Sequence, residues 1–272
     1  MSQTFAATSS YYNIGAPSNL TNITAGGYVA IVRSSNPAVS RVIYDKGATA
    51  PVFRRININA SEALAMSVGS AATTLQAVAP MANFAGVLPG KWCVVAGRFN
   101  TAATNADQQL FACPVGGALA GPSSYTTQVV GSSHGSDGSD VAHIGDSTAN
   151  TLGFTDPLAA LAVFNAYPTQ EELQQVANEL LVRGRKLRLP ASVKGAWQLT
   201  QRGTLPDLSG NGNHGAAGGG IIGQAGDPVW KWPRGIAASI GGFDVPAAAA
   251  GAGGVYLPHS RGRRVAAVLN GD

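Results

Sequence analysis

Four oxygen-bearing side chains fall on alternate positions of the stretch LPDLSGNGNHG, Leu205 to Gly215: Asp207, Ser209, Asn211 and Asn213. Carboxylate, hydroxyl and amide oxygens at that spacing form a donor set for a hard cation, and Asp137, Asp140 and Asp146 are further carboxylates that a calcium ion could draw in. One carboxylate among the first four is few for such a site. The same residues also read as a tight turn in which Asp, Ser and Asn bond nearby amides while Gly210, Gly212 and Gly215 supply positive φ. Both readings stay open, and calcium is the only cofactor the sequence nominates.

Other chemistries find less to work with. Hydrolysis of a glycosidic bond needs two carboxyl groups about 5 to 9 Å apart across a cleft. Glu62 stands alone, and Glu171, Glu172 and Glu179 share one helical segment, so no such pair is set up. His134, His143, His214 and His259 lack metal-ligand spacing, and His214 reads as a turn residue. Cys93 and Cys113 make neither a zinc site nor a disulfide scaffold and are expected as free, buried thiols on neighbouring strands. There is no G-x-S-x-G, P-loop or dinucleotide fingerprint. The chain reads as non-enzymatic.

The elements that position these residues are short. A chain of 272 residues with 45% hydrophobic and 12% charged residues buries a proper core, and 35 Gly with 15 Pro favour many strands and loops over helices. Strands are expected at Tyr28–Val32, buried on both faces, at Arg41–Asp45 followed by a turn at Lys46–Thr49, and at Arg55–Ile58, Ala63–Val68 and Thr74–Val78. Trp92–Phe99 is expected as the best-defined strand and Gly131–Asp140 as a mobile polar loop. One helix is expected over about 168–183, with Thr169 and Glu172 as a capping box and Leu173, Val176, Ala177, Leu180 and Leu181 on one face.

The net charge of +4 and pI near 9.2 reflect scarce acid. The densest basic cluster, Arg183, Arg185, Lys186 and Arg188, sits at a helix end, where cations complement the helix dipole, so no nucleic-acid partner is expected. No apolar run is long enough to cross a membrane and no export signal opens the sequence, which implies folding in a cytoplasm.

Several of these segments carry a resemblance. GAWQL at Gly195–Leu199 followed by the Asp207–Gly215 loop resembles the W-x-L strand and D-x-S-G-N-G-N-x-G loop that open laminin-G-like, concanavalin A-like domains. IYDKG at Ile43–Gly47, WCVVAGRF at Trp92–Phe99, QQLFACP at Gln108–Pro114 and VAHIG at Val141–Gly145 resemble later strands of the same family, and the helix resembles its closing one. A hairpin of Trp92–Phe99 with Gln108–Pro114, and strands at Val141–Gly145 and Gly153–Phe164, are what the resemblance of these segments to laminin-G-like strands implies. The resemblance implies an all-β, concanavalin A-like jelly-roll β-sandwich over 13–222, circularly permuted so that 195–199 supplies the first family strand. An N-terminal arm over 1–12 and an extended Gly/Ala-rich C-terminal arm over 223–272 would flank it.

Two functions follow. A bacteriophage virion component, a capsid decoration or tail protein, reconciles an outward-facing sandwich with the lack of an export signal. It would fold in the host cytoplasm and assemble with other virion proteins and further copies of itself. The alternative is a carbohydrate-binding, lectin-like module for host glycans. Tyr11, Tyr12, Tyr125, Trp230 and Trp232 are the candidate glycan or partner contacts under either reading.

Overall fold

Short β-branched and small-residue runs, punctuated by glycine and proline, fold into sixteen strands and one α-helix among the described residues of the computed structural model. The structure describes residues 2–5, 10–33, 40–49, 52–69, 74–101, 108–129, 136–148, 152–182, 186–199, 204–218 and 221–224, all within the unit Met1–Pro233. In chain order the strands are β1 (Ser2–Phe5), β2 (Tyr11–Gly15), β3 (Ala25–Arg33), β4 (Arg41–Thr49), β5 (Val52–Ile58), β6 (Ala63–Gly69), β7 (Thr74–Pro80) and β8 (Trp92–Asn100). They continue as β9 (Gln109–Pro114), β10 (Thr127–Val129), β11 (Ala142–Ile144), β12 (Leu158–Phe164), β13 (Val193–Gln198), β14 (Thr204–Leu205), β15 (Gly215–Gly218) and β16 (Ile221–Gln224). The helix α1, Gln170–Leu180, lies between β12 and β13.

These strands form two antiparallel sheets, the all-β sandwich expected from the sequence. A seven-stranded sheet runs β16-β1-β12-β3-β8-β9 with β13 also beside β12, and a nine-stranded sheet runs β10-β7-β6-β5-β4-β11-β2-β15-β14. Tyr28, Val95, Leu161 and Trp197 from the first meet Tyr12, Tyr44, Ile56 and Met66 from the second in one core. The opposite face of the seven-stranded sheet is covered by α1, where Val29, Ile31, Ala160 and Ala162 meet Leu173, Val176, Ala177 and Leu180. Strands β3 and β12 are therefore buried on both faces, which is why they are written as unbroken apolar runs.

The helix begins as its sequence dictates. Thr169 accepts from the Glu172 amide at 3.1 Å, and Glu172 accepts in return from the Thr169 amide at 2.8 Å. Each large side chain it buries contributes about 1.5–3 kcal/mol. It ends at Leu180 with no basic residue in its last turn. Arg183 and Arg185 lie outside the described residues.

Strand β13 carries most of the GAWQL segment singled out in the sequence. It pairs with β12 in the register Leu161↔Trp197 and Ala162↔Ala196, in the same sheet as β3 and β8. Gly195 is required here: a Cβ at that position would lie 2.1 Å from Cη2 of Trp197. The indole fills that space, and its Nε1 donates to the Asn213 carbonyl at 2.8 Å.

Five expectations are corrected. The described part of the expected N-terminal arm over 1–12, residues 2–5 and 10–12, is built into the sheets: β1 pairs with β16 and touches β12 at Gln3↔Leu158, along the part of its edge that β13 leaves open, and Tyr11 begins β2. The arm boundary at 223 likewise falls inside β16. Lys46–Thr49 is not a turn, because β4 continues through it with a register shift that Gly47, at φ 114, accommodates as a bulge. The strand expected from Gly153 starts at Leu158, since Pro157 and the residues before it form a loop. The described part of the Gly131–Asp140 loop is anchored in the core by Asp137, which is fully buried.

Cys93 and Cys113 are free and buried on adjacent strands. Val94 is the partner of Cys113, so Cys93 faces the core between the sheets and Cys113 the layer beneath α1. Burial pushes the thiols up to about 12 and about 11 respectively.

Candidate functional site

The Asp207 loop serves strand β13. Its Oδ1 accepts from the amides of Ala196 at 3.0 Å and Ser209 at 2.9 Å, and its Oδ2 from Ser209 Oγ and the Asn213 amide, both at 2.9 Å. The Leu208 amide donates to the Ala196 carbonyl, while Ser209 Oγ and Asn213 Nδ2 reach the Lys194 carbonyl and Asn211 Nδ2 reaches that of Val193. The Asp207 amide donates to His214 Nδ1 at 3.0 Å, which makes His214 a turn residue. Asp207, Ser209, Asn211 and Asn213 thus converge, but the carboxylate faces N–H and O–H donors. This is a loop that caps the open edge of a strand, and the calcium reading loses its one charged ligand to that task. Asp137 and Asp146 are occupied elsewhere, and no three of His, Cys, Asp and Glu gather as metal ligands among the described residues.

The aromatic candidates separate by sheet parity. Tyr12 is fully buried in the core, and burial raises its hydroxyl to about 12, so it contacts no ligand. Tyr125 is half-buried with its hydroxyl on the Leu110 amide at 2.9 Å, a clamp on β9. Tyr11 is half-exposed on the outer face of the nine-stranded sheet. Its ring stacks on His143 with centroids 4.2 Å apart and planes at 20°, and it closes over Gly218, where a Cβ would come within 2.7 Å. Trp230 and Trp232 lie outside the described residues.

Following the register outward from Tyr11 exposes a feature that residue-by-residue inspection missed. Asn13 on β2 is opposite His143 on β11, His143 opposite Asp45 on β4, Asp45 opposite Arg55 on β5, Arg55 opposite Ser67 on β6, and Ser67 opposite Gln76 on β7. In the other direction Asn13 is opposite Ala216, and Ala216 opposite Thr204. One row of mostly polar side chains therefore crosses the sheet on the face turned away from the core. Asn13, Arg55 and Gln76 are half-exposed, whereas His143, Asp45 and Ser67 are buried. The signal for it was the strict alternation of these residues with Tyr12, Ile144, Tyr44, Ile56, Met66 and Ala77, all of which point inward.

The centre of the row is held rigidly. Arg55 Nε and Nη2 donate to the two carboxylate oxygens of Asp45 at 3.2 and 3.0 Å, and the Thr148 amide adds a bond to Asp45 Oδ2 at 2.9 Å. His143 Nδ1 lies 3.3 Å from the Ser147 carbonyl, and burial lowers the basicity of its ring. Asp146 Oδ1 accepts from the amides of Ser147 and Leu152 at 2.7 and 2.9 Å. Burial, with Asp45 nearby, raises its carboxyl to about 6. The row has no aligned nucleophile and base and no paired acids across a cleft. It can offer amide, guanidinium and hydroxyl hydrogen bonds to a polar ligand. A separate open groove of about 620 Å³ along α1 is lined by Gln170, Gln174, Gln175 and Asn178, but Gln170 and Gln174 are engaged by the Leu119 carbonyl and amide.

No protein-family model and no curated protein matches the sequence. Solved structures share the fold. A protein of Bacteroides ovatus named as carbohydrate binding superposes with a TM-score of 0.51 at 15% identity over 81% of this chain, which spans 59% of that protein's length. The heptameric SAP-like pentraxin of Limulus polyphemus superposes with a TM-score of 0.50 at 13% identity, over 81% of this chain and 93% of its own. The chain is a jelly-roll β-sandwich, the fold it shares with these structures.

Proposed function

We propose that this chain is a non-enzymatic binding module that presents the outer face of its nine-stranded sheet to a glycan. The observation that carries the reading is the polar row through Asn13, His143, Asp45, Arg55, Ser67 and Gln76. It combines half-exposed amide and guanidinium donors with a centre fixed by the Asp45–Arg55 pair. Pre-oriented polar groups on a rigid sheet suit a hydroxyl-rich ligand, because little side-chain freedom is lost on binding. The lectin-like fold supports the reading at the level of architecture alone. A glycan array probed with the full chain is the test. Binding to a defined set of sugars, weakened at least roughly tenfold by Asn13→Ala and by Gln76→Ala, is expected. An array that stays silent, or binding that both variants leave intact, overturns it.

Within this proposal the module works as a structural component of a bacteriophage virion, alongside other virion proteins and further copies of itself. What favours that setting is the sequence beyond Gln224, a Gly/Ala-rich stretch running on from the edge strand β16. On the same reading the domain is laminin-G-like and permuted so that its opening W-x-L strand arrives late, as β13; what supports this is the GAWQL segment pairing inside the seven-stranded sheet. Co-sedimentation of the chain with purified particles tests the setting independently of the glycan.

A further inference from the structure

Beside the polar row, two residues further along the same strands, the outer face changes character. Asn57 on β5 is opposite Ala65 on β6, Ala65 is opposite Val78 on β7, and Ala63 is opposite Pro80. Ala63, Ala65 and Val78 pack together as a small apolar cluster separate from the main core; the two alanines are 3% exposed and the valine 8%. Their sequence neighbours Leu64, Met66, Ala77 and Ala79 point into the core, so this cluster is on the outer face. Strand β6 thus turns Ala63, Ala65 and Ser67 outward, a run of short side chains between the longer ones of Arg55 on β5 and Gln76 on β7. The result is a trough with an apolar floor.

Two polar side chains open onto that floor. Asn57 and Ser67 are each only 8% exposed, and neither side chain has a hydrogen-bond partner among the described residues. Polar groups buried to that extent are costly to leave unpaired. The register sets them as diagonal neighbours: Ser67 is opposite Arg55, two residues from Asn57, and Ala65 is beside both. Such diagonals are about 7–8 Å apart, a span that one small group can bridge. Each of the two side chains both donates and accepts. A water molecule or a sugar hydroxyl can satisfy them but gains nothing from the alanine floor. An acetamido group suits all three features at once. Its N–H and C=O point in opposite directions, one toward each polar side chain, and its methyl covers the apolar floor between them.

We propose that the trough on β5, β6 and β7 takes the acetamido group of an N-acetylated sugar, with Asn57 and Ser67 as its hydrogen-bond partners and Ala63, Ala65 and Val78 as the seat of its methyl. This rests on the reading of the outer face as a glycan site and names the class of glycan. The full chain is tested against matched glycans that differ at one position only, with an acetamido group in one member of each pair and a hydroxyl in the other. The acetamido member is expected to bind roughly tenfold tighter or more, the discrimination that a methyl-sized site with paired polar groups supplies. Asn57→Ala, which removes one polar partner, and Ala65→Val, which raises the floor, are both expected to abolish that preference. Sugar binding by the wild type with no preference within the pairs overturns the inference and leaves the glycan reading standing, whereas silence toward every sugar overturns both. A preference that persists in Asn57→Ala and in Ala65→Val also overturns the inference. The wild-type comparison decides the matter even where a variant fails to fold.

Discussion

Replacing Asp207 separates the capping role of its loop from cation binding. In Asp207→Ala the amides of Ala196 and Asn213, both buried, lose their acceptor. Each stranded buried donor costs about 1–3 kcal/mol, which gives roughly 2–6 kcal/mol together. The Ser209 amide and hydroxyl are half-buried and turn to water, so they add little. Asp207→Asn keeps one carbonyl oxygen and places an NH₂ against an amide, so about half the loss is expected. For a domain of this size the alanine variant should melt lower by something on the order of 10 °C. Tryptophan fluorescence is a suitable probe, because Trp197 donates to the Asn213 carbonyl inside the same loop. Millimolar calcium should leave the wild-type midpoint unmoved. The reasoning is refuted if Asp207→Ala melts like the wild type, or if calcium stabilises the wild type but not this variant.

Four further substitutions probe the packing, the helix cap and a buried carboxyl. Gly195→Ala forces a methyl into the Trp197 ring and should cost about 1–3 kcal/mol or more by overpacking, read from urea unfolding; a neutral result would mean the ring has room to move. Thr169→Ala should cost about 1 kcal/mol as a lost cap and Leu180→Ala about 2–5 kcal/mol as a core cavity, and an unchanged melt for Leu180→Ala would show that α1 does not dock. Asp146, with its carboxyl raised to about 6, contributes stability that is fully present below its unfolded value near 3.8 and lost as pH rises through about 6. Asp146→Asn should therefore exceed the wild type most at neutral pH, with the gap closing on acidification from about 6 toward 4; a gap independent of pH would contradict the assignment.

What was legible in the sequence was what local chemistry decides. The Thr169–Glu172 box fixed where α1 starts, the unbroken apolar runs marked β3 and β12 as doubly covered, and the Trp92–Phe99 strand found its hairpin partner in β9. What was not legible depends on parity and distant partners. Two doublets, Tyr11–Tyr12 and Arg54–Arg55, each send one side chain to the core and one to the outer face. Composition treats the members of a doublet alike, and only the register tells them apart. Asp137 was concealed in the same way: its Gly- and Ser-rich surroundings read as solvent-facing, and its burial depends on Arg54, which is 83 residues away in sequence. The polar row is spread over six strands from β2 to β7, so no single segment of sequence announces it.

The position of β1 has a consequence for how the chain is made. Ser2–Phe5 is translated before every other described strand, yet it lies between β12 and β16, and Ser2 is opposite Gln224. During vectorial synthesis β3, β8 and β9 can assemble as soon as they emerge, and β12 then joins β3. The first strand meanwhile has no second neighbour until nearly all of the sandwich has been translated. Closure of that edge is thus a late event governed by long-range pairing, the slow class of contact. Until it happens, the nascent chain exposes a strand edge to other chains, and this is the interval in which misassembly competes with folding.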